Sequence, residues 1–319
     1  MPSEFDLIRR FFTRPPRHAL LGVGDDGALL APTAGCELVV SADMLVEGTH
    51  FLPDTDPEAL GWKTLAVNLS DMAAMGALPR WALLAAVLPA PARCVPAGTF
   101  DWLEAFARGF FACASAFDVD LVGGDTTRGP RAFCVTILGE APAGQALRRR
   151  GAQPGDSIWV SGRPGRAALG LAHLQGRVVL AEPQLSACLA ALHRPQPRVA
   201  LGLALRGLAH AAIDVSDGLL ADLGHILDAS GCAAHLSIPG LPPPGIERDC
   251  FLAGGDDYEL VFTAPAEVDA EVMRLGQTLP LALTRIGEIV TGAAGSFILQ
   301  DAEAQAIVVT RCGFDHFQN

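Results

Sequence analysis

The feature that most constrains this chain is a set of short apolar segments, each ending in Asp beside Gly, Ser or Thr. They are Gly22-Val-Gly-Asp-Asp-Gly27, Ser41-Ala-Asp43, Asn68-Leu-Ser-Asp71, Gly123-Gly-Asp-Thr-Thr127 and Ile213-Asp-Val-Ser-Asp217. A carboxylate at the edge of an apolar run is costly unless it is paired or holds a metal. Cationic partners are scarce, because Lys63 is the only lysine and every other basic side chain is Arg or His. We read the set as one hard-metal cluster that the fold gathers from distant parts of the sequence, with the metals there to hold polyphosphate. Mg²⁺ suits this reading, since it takes oxygen ligands and commonly bridges carboxylate and phosphate.

The position of Lys63 narrows the chemistry. It lies in Gly61-Trp-Lys-Thr64 and not in GxxxxGK[ST] or VAIK, so neither a P-loop nor a protein-kinase lysine is present. Metal ions and arginines must then neutralise any nucleotide phosphates. A GxSxG elbow, HExxH and a Dx[DN]x[DN]G calcium loop are all missing, which weakens hydrolase and calcium-binding readings.

The chain has 319 residues, half of them hydrophobic, enough for two cores. The net charge of −12 argues against a nucleic-acid or anionic-membrane partner. No run approaches the roughly 18 apolar residues of a membrane span. Met1-Pro-Ser-Glu-Phe-Asp6 lacks a basic start followed by an apolar stretch, so no signal peptide is expected and the expected location is the cytoplasm. The eight cysteines form no CxxC pair and most sit in apolar runs, which reads as buried thiols in a reducing compartment.

In chain order, Phe5, Ile8, Phe11 and Phe12 predict a short amphipathic helix. The Gly22–Gly27 stretch is either a metal-binding turn or a plain hairpin turn. Glu37–Asp43 reads as a strand, with His50 in the loop after it. A helix is predicted from Asp56-Pro57, the Asp at the N-cap, to Gly76. Asn68 and Asp71, three apart, share one of its faces. Strands are expected at 81–88, 119–122 and 131–139, and a helix over 100–117. Small residues in Gly123–Gly129 let backbone amides approach an anion. Arg148–Asp156 is the candidate boundary between two domains, 1–147 and 148–319. Its arginine run is a solvated linker or a cationic arm over phosphates. Beyond it come a strand at 157–161, helices over roughly 164–208, a strand at 211–215 and the helix that Ser216-Asp-Gly218 opens. Gly254-Gly-Asp-Asp-Tyr-Glu-Leu260 mirrors the N-terminal GDD turn. A helix near 266–276 and strands at 261, 286–290 and 307–309 complete the reading.

GVGDDGALL, Ser41-Ala-Asp43 with His50, AVNLSDMAAMGA, GGDTTRG, IDVSDGL and GGDDYEL, in this order and spacing, resemble the thiamine-monophosphate kinase family across essentially the whole chain. That family lies in the superfamily of aminoimidazole ribonucleotide (AIR) synthetase, selenophosphate synthetase and a hydrogenase-maturation protein. The resemblance implies ATP-dependent, Mg²⁺-assisted phosphoryl transfer to thiamine monophosphate. It implies a two-domain α/β fold of the PurM-like type, a homodimer whose N-terminal strands join into a shared barrel, and an active site near that interface. By motif match, Asp26, Ser41, Ala42, Asp43, Asp71, Asp125, Asp214 and Asp217 take the magnesium positions. Gly124, Asp125, Arg149 and Ser216 take the ATP positions, and His50, Asp256 and Phe314 those for thiamine phosphate. Ala42 stands where relatives often carry Thr, Asp256 where many carry Glu, and Phe314 where others carry Trp or Tyr. The register of Arg149 within Arg148–Arg150 is open by one residue. The rival within the superfamily is an AIR synthetase. The rival of another class is a nucleotide-binding protein without turnover, against which the full set of Asp residues speaks. A selenophosphate synthetase would need a reactive Cys or Sec and a Lys near Gly22–Gly27, and neither is there.

Overall fold

The computed structural model describes residues 4–89, 99–301, 303–309 and 312–314. The chain divides into two units, residues 1–72 with 77–144 and residues 73–76 with 145–319.

The N-terminal unit opens with α1 (Glu4–Leu7), which runs into a wide turn of helix over Ile8–Phe12. The short antiparallel pair β1 (Ala19–Leu21) and β2 (Leu29–Leu30) brackets the Gly22–Gly27 turn. A four-stranded sheet follows: β3 (Cys36–Val46), β4 (Leu78–Leu88), β5 (Asp120–Arg128) and β6 (Ala132–Pro142), in the order β3-β6-β4-β5. The β4–β5 pair is parallel and the others antiparallel. The sheet is open, with β3 and β5 at its edges. Between these strands the chain forms α2 (Pro57–Ala74) and α3 (Thr99–Ala116).

Alternation along β3 sorts its side chains to two faces. Val39 and Leu45 are buried, while Leu38, Val40 and Met44 on the opposite face are 46%, 58% and 54% exposed. Phe106 of α3 stacks on Phe133 of β6 at 4.4 Å between ring centres, so aromatic packing fixes that helix to its sheet. Two further carboxylates tie down the chain ahead of β3. Asp120 is buried and accepts the backbone N–H groups of Arg17 and Ala19 at 2.7 and 3.2 Å. Glu140 accepts the Thr33 hydroxyl at 2.9 Å and pairs with Arg80 at 3.2 Å.

The C-terminal unit is built on β7 (Asp156–Ser161), β8 (Ala211–Val215), β9 (Ala233–Ser237), β10 (Glu259–Pro265), β11 (Leu283–Val290) and β12 (Phe297–Gln300). Their order is β12-β9-β11-β7-β10-β8, and the β12–β9 pair is parallel. Its helices are α4 (Arg166–Leu174), α5 (Gln184–His193), α6 (Val199–Leu205), α7 (Leu219–Ser230), α8 (Ile246–Ala253) and α9 (Asp269–Thr278). The central strand β7 is buried along its whole length, which accounts for its run of apolar and small residues. Leu219, Leu220, Leu223, Ile226 and Leu227 seat α7 in the core of this sheet.

The structure corrects the sequence reading in several places. The strand expected at 119–122 does not stop at Val122 but continues as β5 through Gly123–Arg128. Residues 307–309 form no strand; Ile307 only donates its N–H to Leu299 O at 2.8 Å, beyond a single bridge between Gln300 and Ala306. The strands β9 and β12 and the helix α8 lie where the pattern gave no element. Within the final GFDHF, only Gly313 and Phe314 are among the described residues, and Cys94 lies outside them.

Candidate active site

In the N-terminal unit the predicted ligands fall on β3, α2 and β5. Ser41 and Asp43 project from the β3 face that meets α2. The Ser41 hydroxyl donates to Asp71 Oδ2 at 2.6 Å, and the Asp43 backbone N–H donates to Asn68 Oδ1 at 2.9 Å. The three-residue spacing of Asn68 and Asp71 therefore places both on the strand, as the sequence predicts. Ala42 alternates to the other face and is exposed, so its side chain is turned away from Ser41 and Asp43. His50 receives the Val46 N–H on Nδ1 at 3.1 Å, which leaves the proton of a neutral ring on Nε2.

Gly124 pairs with Leu84 two residues past an irregularity in the β4–β5 register at Val122, and has φ of 148°. A Cβ there would lie 1.9 Å from Leu84 O, so no other residue fits. The next residue, Asp125, is exposed, and its Oδ1 accepts the N–H of Thr126 at 2.9 Å. Asp26 is likewise exposed at the tip of the β1–β2 turn, its N–H bonded to Asp25 Oδ1 at 2.9 Å.

In the C-terminal unit the predicted residues interlock. Asp214 is buried on β8 opposite Leu260 of β10. Ser216 and Asp217 follow in the turn before α7. Ser216 O accepts the N–H of Asp256 at 2.7 Å, and Asp217 O accepts the N–H of Phe314 at 3.0 Å. Two proposed substrate residues thus hang directly on the turn that carries the proposed metal and ATP residues. Close approach requires glycine at both contacts: a Cβ at Gly255 would lie 2.3 Å from Ser216 O, and one at Gly313 2.5 Å from Ala221 Cβ. Asp256 itself adopts φ of 75°. Phe314 is 39% exposed. Arg148, Arg149 and Arg150 are all exposed; Ala212 donates its N–H to Arg148 O at 2.9 Å, which docks the segment beside β8.

Two acidic residues that the sequence reading left without a role support these loops. Asp222 on α7 is 2% exposed, and its Oδ2 accepts the N–H groups of Ser216, Asp217 and Gly218 at 3.1, 3.1 and 3.0 Å. Burial pushes its carboxyl up to about 7, against the pull of those amides. Asp257 accepts the N–H groups of Gly165 and Ala167 at 2.5 and 3.1 Å and so caps α4. Burial pushes it up to about 8. The signal for Asp222 was its place one turn into the helix that SDG opens; for Asp257 it was the doubled Asp. Glu259 of the same motif is held by Arg198, at 2.6 and 2.5 Å, and by the Ser161 hydroxyl at 2.6 Å.

Every proposed ligand offers hard oxygen, which suits Mg²⁺. Among the described residues, no three His, Cys, Asp or Glu side chains converge as a ready-made cation site. Burial pushes the Cys250 thiol up to about 11 and raises Cys188 and Cys232 as well, so these three are poor nucleophiles. A separate cavity of about 440 Å³, between Arg163, Arg166, Leu169, Cys188 and Phe251, is lined by none of the motif-matched residues. No helix among the described residues is long and apolar enough to cross a membrane.

Residues 24–141 match the family model "AIR synthase related protein, N-terminal domain", and residues 153–300 match "AIR synthase related protein, C-terminal domain". The thiamine-monophosphate kinase of Salmonella typhimurium is 44% identical over 99% of this chain and 98% of its own. That of Escherichia coli K12 is 43% identical with the same coverage. Among solved structures, a thiamine-monophosphate kinase from Stenotrophomonas maltophilia K279a superposes with a TM-score of 0.80 and 48% identity, covering 91% of this chain and 92% of that one. A structure described as AaThiL complexed with AMPPCP and TMP gives 0.75 and 30%, covering 92% of each.

Proposed function

This chain belongs to the thiamine-monophosphate kinase family, and from that membership we propose that it transfers the γ-phosphoryl group of ATP to thiamine monophosphate, giving thiamine diphosphate and ADP. The observation that carries the reading is the interlock of Ser216, Asp217, Asp256 and Phe314, four positions drawn from three separate motifs. A relative of 30% identity complexed with AMPPCP and TMP supports both substrates.

In the transfer, an oxygen of the acceptor phosphate bonds to the γ-phosphorus. The bond from that phosphorus to the β–γ bridging oxygen breaks, and its electron pair leaves with ADP. A phosphate monoester has a second pKa of about 6, so the acceptor is largely a dianion at neutral pH and needs no general base. No catalytic side chain is assigned, because positioning and charge neutralisation carry such a reaction. Asp26, Ser41, Asp43, Asp71, Asp125, Asp214 and Asp217, with the backbone oxygen of Ala42, would hold several Mg²⁺ ions. When bound, these ions offset the repulsion between the two phosphates. Gly124 leaves room for the ATP phosphates, Ser216 and Asp125 contact them, and Arg149 adds positive charge from an exposed position. His50, Asp256 and Phe314 hold thiamine monophosphate, with Phe314 stacking on a thiamine ring.

The proposed division is an ATP- and Mg²⁺-binding, dimer-forming domain over 1–147 and a second AIR synthetase-like domain over 148–319. A homodimer is supported by the exposed apolar side chains Leu38, Val40 and Met44 along edge strand β3. Joining of such strands from two chains would make the shared barrel, in a cytoplasmic enzyme. Single-turnover reaction with ATP labelled in its γ-phosphate tests the reading: the label is expected in thiamine diphosphate, and label found only in inorganic phosphate contradicts it.

A further inference from the structure

The turn Ser216–Gly218 has a clear polarity. Its three backbone N–H groups all point inward to one oxygen of Asp222, while two of its carbonyls point outward, to the N–H groups of Asp256 and Phe314. Asp222 is almost fully buried. A single acceptor taking three consecutive amides fixes the rotation of each peptide plane. Once those planes are fixed, so are the directions of the Ser216 and Asp217 side chains and the two carbonyls that hold the acceptor side. Gly218 is bound into the same arrangement, with φ of 134° and room for only a hydrogen beside Ala253.

We infer that Asp222 is a positioning residue for phosphoryl transfer, coupling the proposed metal and ATP edge at Ser216–Asp217 to the proposed acceptor edge at Asp256 and Phe314. The inference rests on the proposed function for its kinetics, and on the hydrogen bonds alone for its geometry. Two variants separate the roles. Asp222→Asn keeps an oxygen able to accept the three amides; Asp222→Ala removes it. On the folded fraction, Asp222→Ala is expected to lower kcat about 100-fold and to raise KM for thiamine monophosphate, with Asp222→Asn restoring at least a tenth of the wild-type rate. In both substrate-free variants, amide exchange at 216–218 is followed by NMR or mass spectrometry. Exchange is expected to rise at least tenfold in Asp222→Ala and to stay near wild type in Asp222→Asn.

A structural role alone would lower the melting temperature and leave kcat and KM of the folded fraction unchanged; that result overturns the proposal. Equal losses in the two variants also overturn it, because the charge and not the acceptor geometry would then be what matters. If Asp222→Ala does not fold, Asp222→Asn with wild-type exchange and less than a tenth of the rate overturns it too. A wild-type protein silent with thiamine monophosphate is failure of the functional reading, which the exchange data distinguish from failure of the geometry.

Discussion

Asp71 and Asp217 illustrate how much depends on single carboxylates. Asp71 reaches β3 from the last turn of a buried helix and takes the Ser41 hydroxyl, while Asp217 extends from the turn that Asp222 holds. Replacing either with Asn preserves shape and removes charge, so Asp71→Asn and Asp217→Asn should each cut turnover by orders of magnitude while circular dichroism stays that of the wild type. Near-wild-type rates in both would sink the metal assignment. Asp257 makes a prediction about pH. Its carboxyl titrates near its ordinary value, about 3.9, in the unfolded chain, and burial raises it to about 8 in the folded one. Between those values the folded state binds the extra proton, so this group lowers stability as pH rises from about 4 to about 8. Urea unfolding at pH 5 and pH 8 should show wild type losing ground to Asp257→Asn, by up to about 1.4 kcal/mol per pH unit; a gap that is constant or opens in favour of wild type would refute it. The carboxylates proposed for the site stood out in the sequence because Asp beside Gly, Ser or Thr after an apolar run is an unusual pattern. Asp222 was not, since a carboxylate in the first turn of a helix is ordinary and its three partners are set by the path of the preceding turn.

Among the elements, long strands and helices were readable where one face carries the apolar residues, as in β3, α3 and α7. β5 was read as stopping at Val122 because a Gly-Gly pair weakens a strand; in the sheet Gly124 is the one residue that lets the strand pass Leu84 O. Gly124→Ala should therefore lower stability by about 2 kcal/mol or more, read as a shift of the urea midpoint. An unchanged midpoint would show that the contact relaxes. The short strands β9 and β12 went unseen for another reason: their pairing is decided by neighbours distant in sequence, and β12 lies on the edge of the sheet. The apparent strand at 307–309 fails for the converse reason. Three β-branched residues in a row satisfy local preference, but only one bond of the ladder to Leu299 is made. On β10, Glu259 is buried and held by Arg198 and Ser161. Glu259→Gln leaves the guanidinium without its charge partner and should cost about 3 kcal/mol in thermal unfolding, whereas a loss under 1 kcal/mol would mean that solvent reaches the pair.

For the molecule as a whole, apolar periodicity alone does not say that the outer side of β3 is left uncovered; only the family resemblance implies a partner there. Leu38, Val40 and Met44 are exposed in a chain whose net charge of −12 otherwise keeps molecules apart. Wild type should sediment at twice the chain mass, and Val40→Glu at the chain mass; a monomeric wild type at micromolar concentration would contradict the dimer. The choice of acceptor is not decided by the shared metal motifs. It is tested most directly by coupled ADP release with ATP and Mg²⁺, offering in turn thiamine monophosphate, thiamine and formylglycinamidine ribonucleotide. Turnover is expected with thiamine monophosphate alone, one thiamine diphosphate appearing for each ADP. Turnover with the ribonucleotide and none with thiamine monophosphate would contradict that expectation and place the chain's chemistry with AIR synthetase.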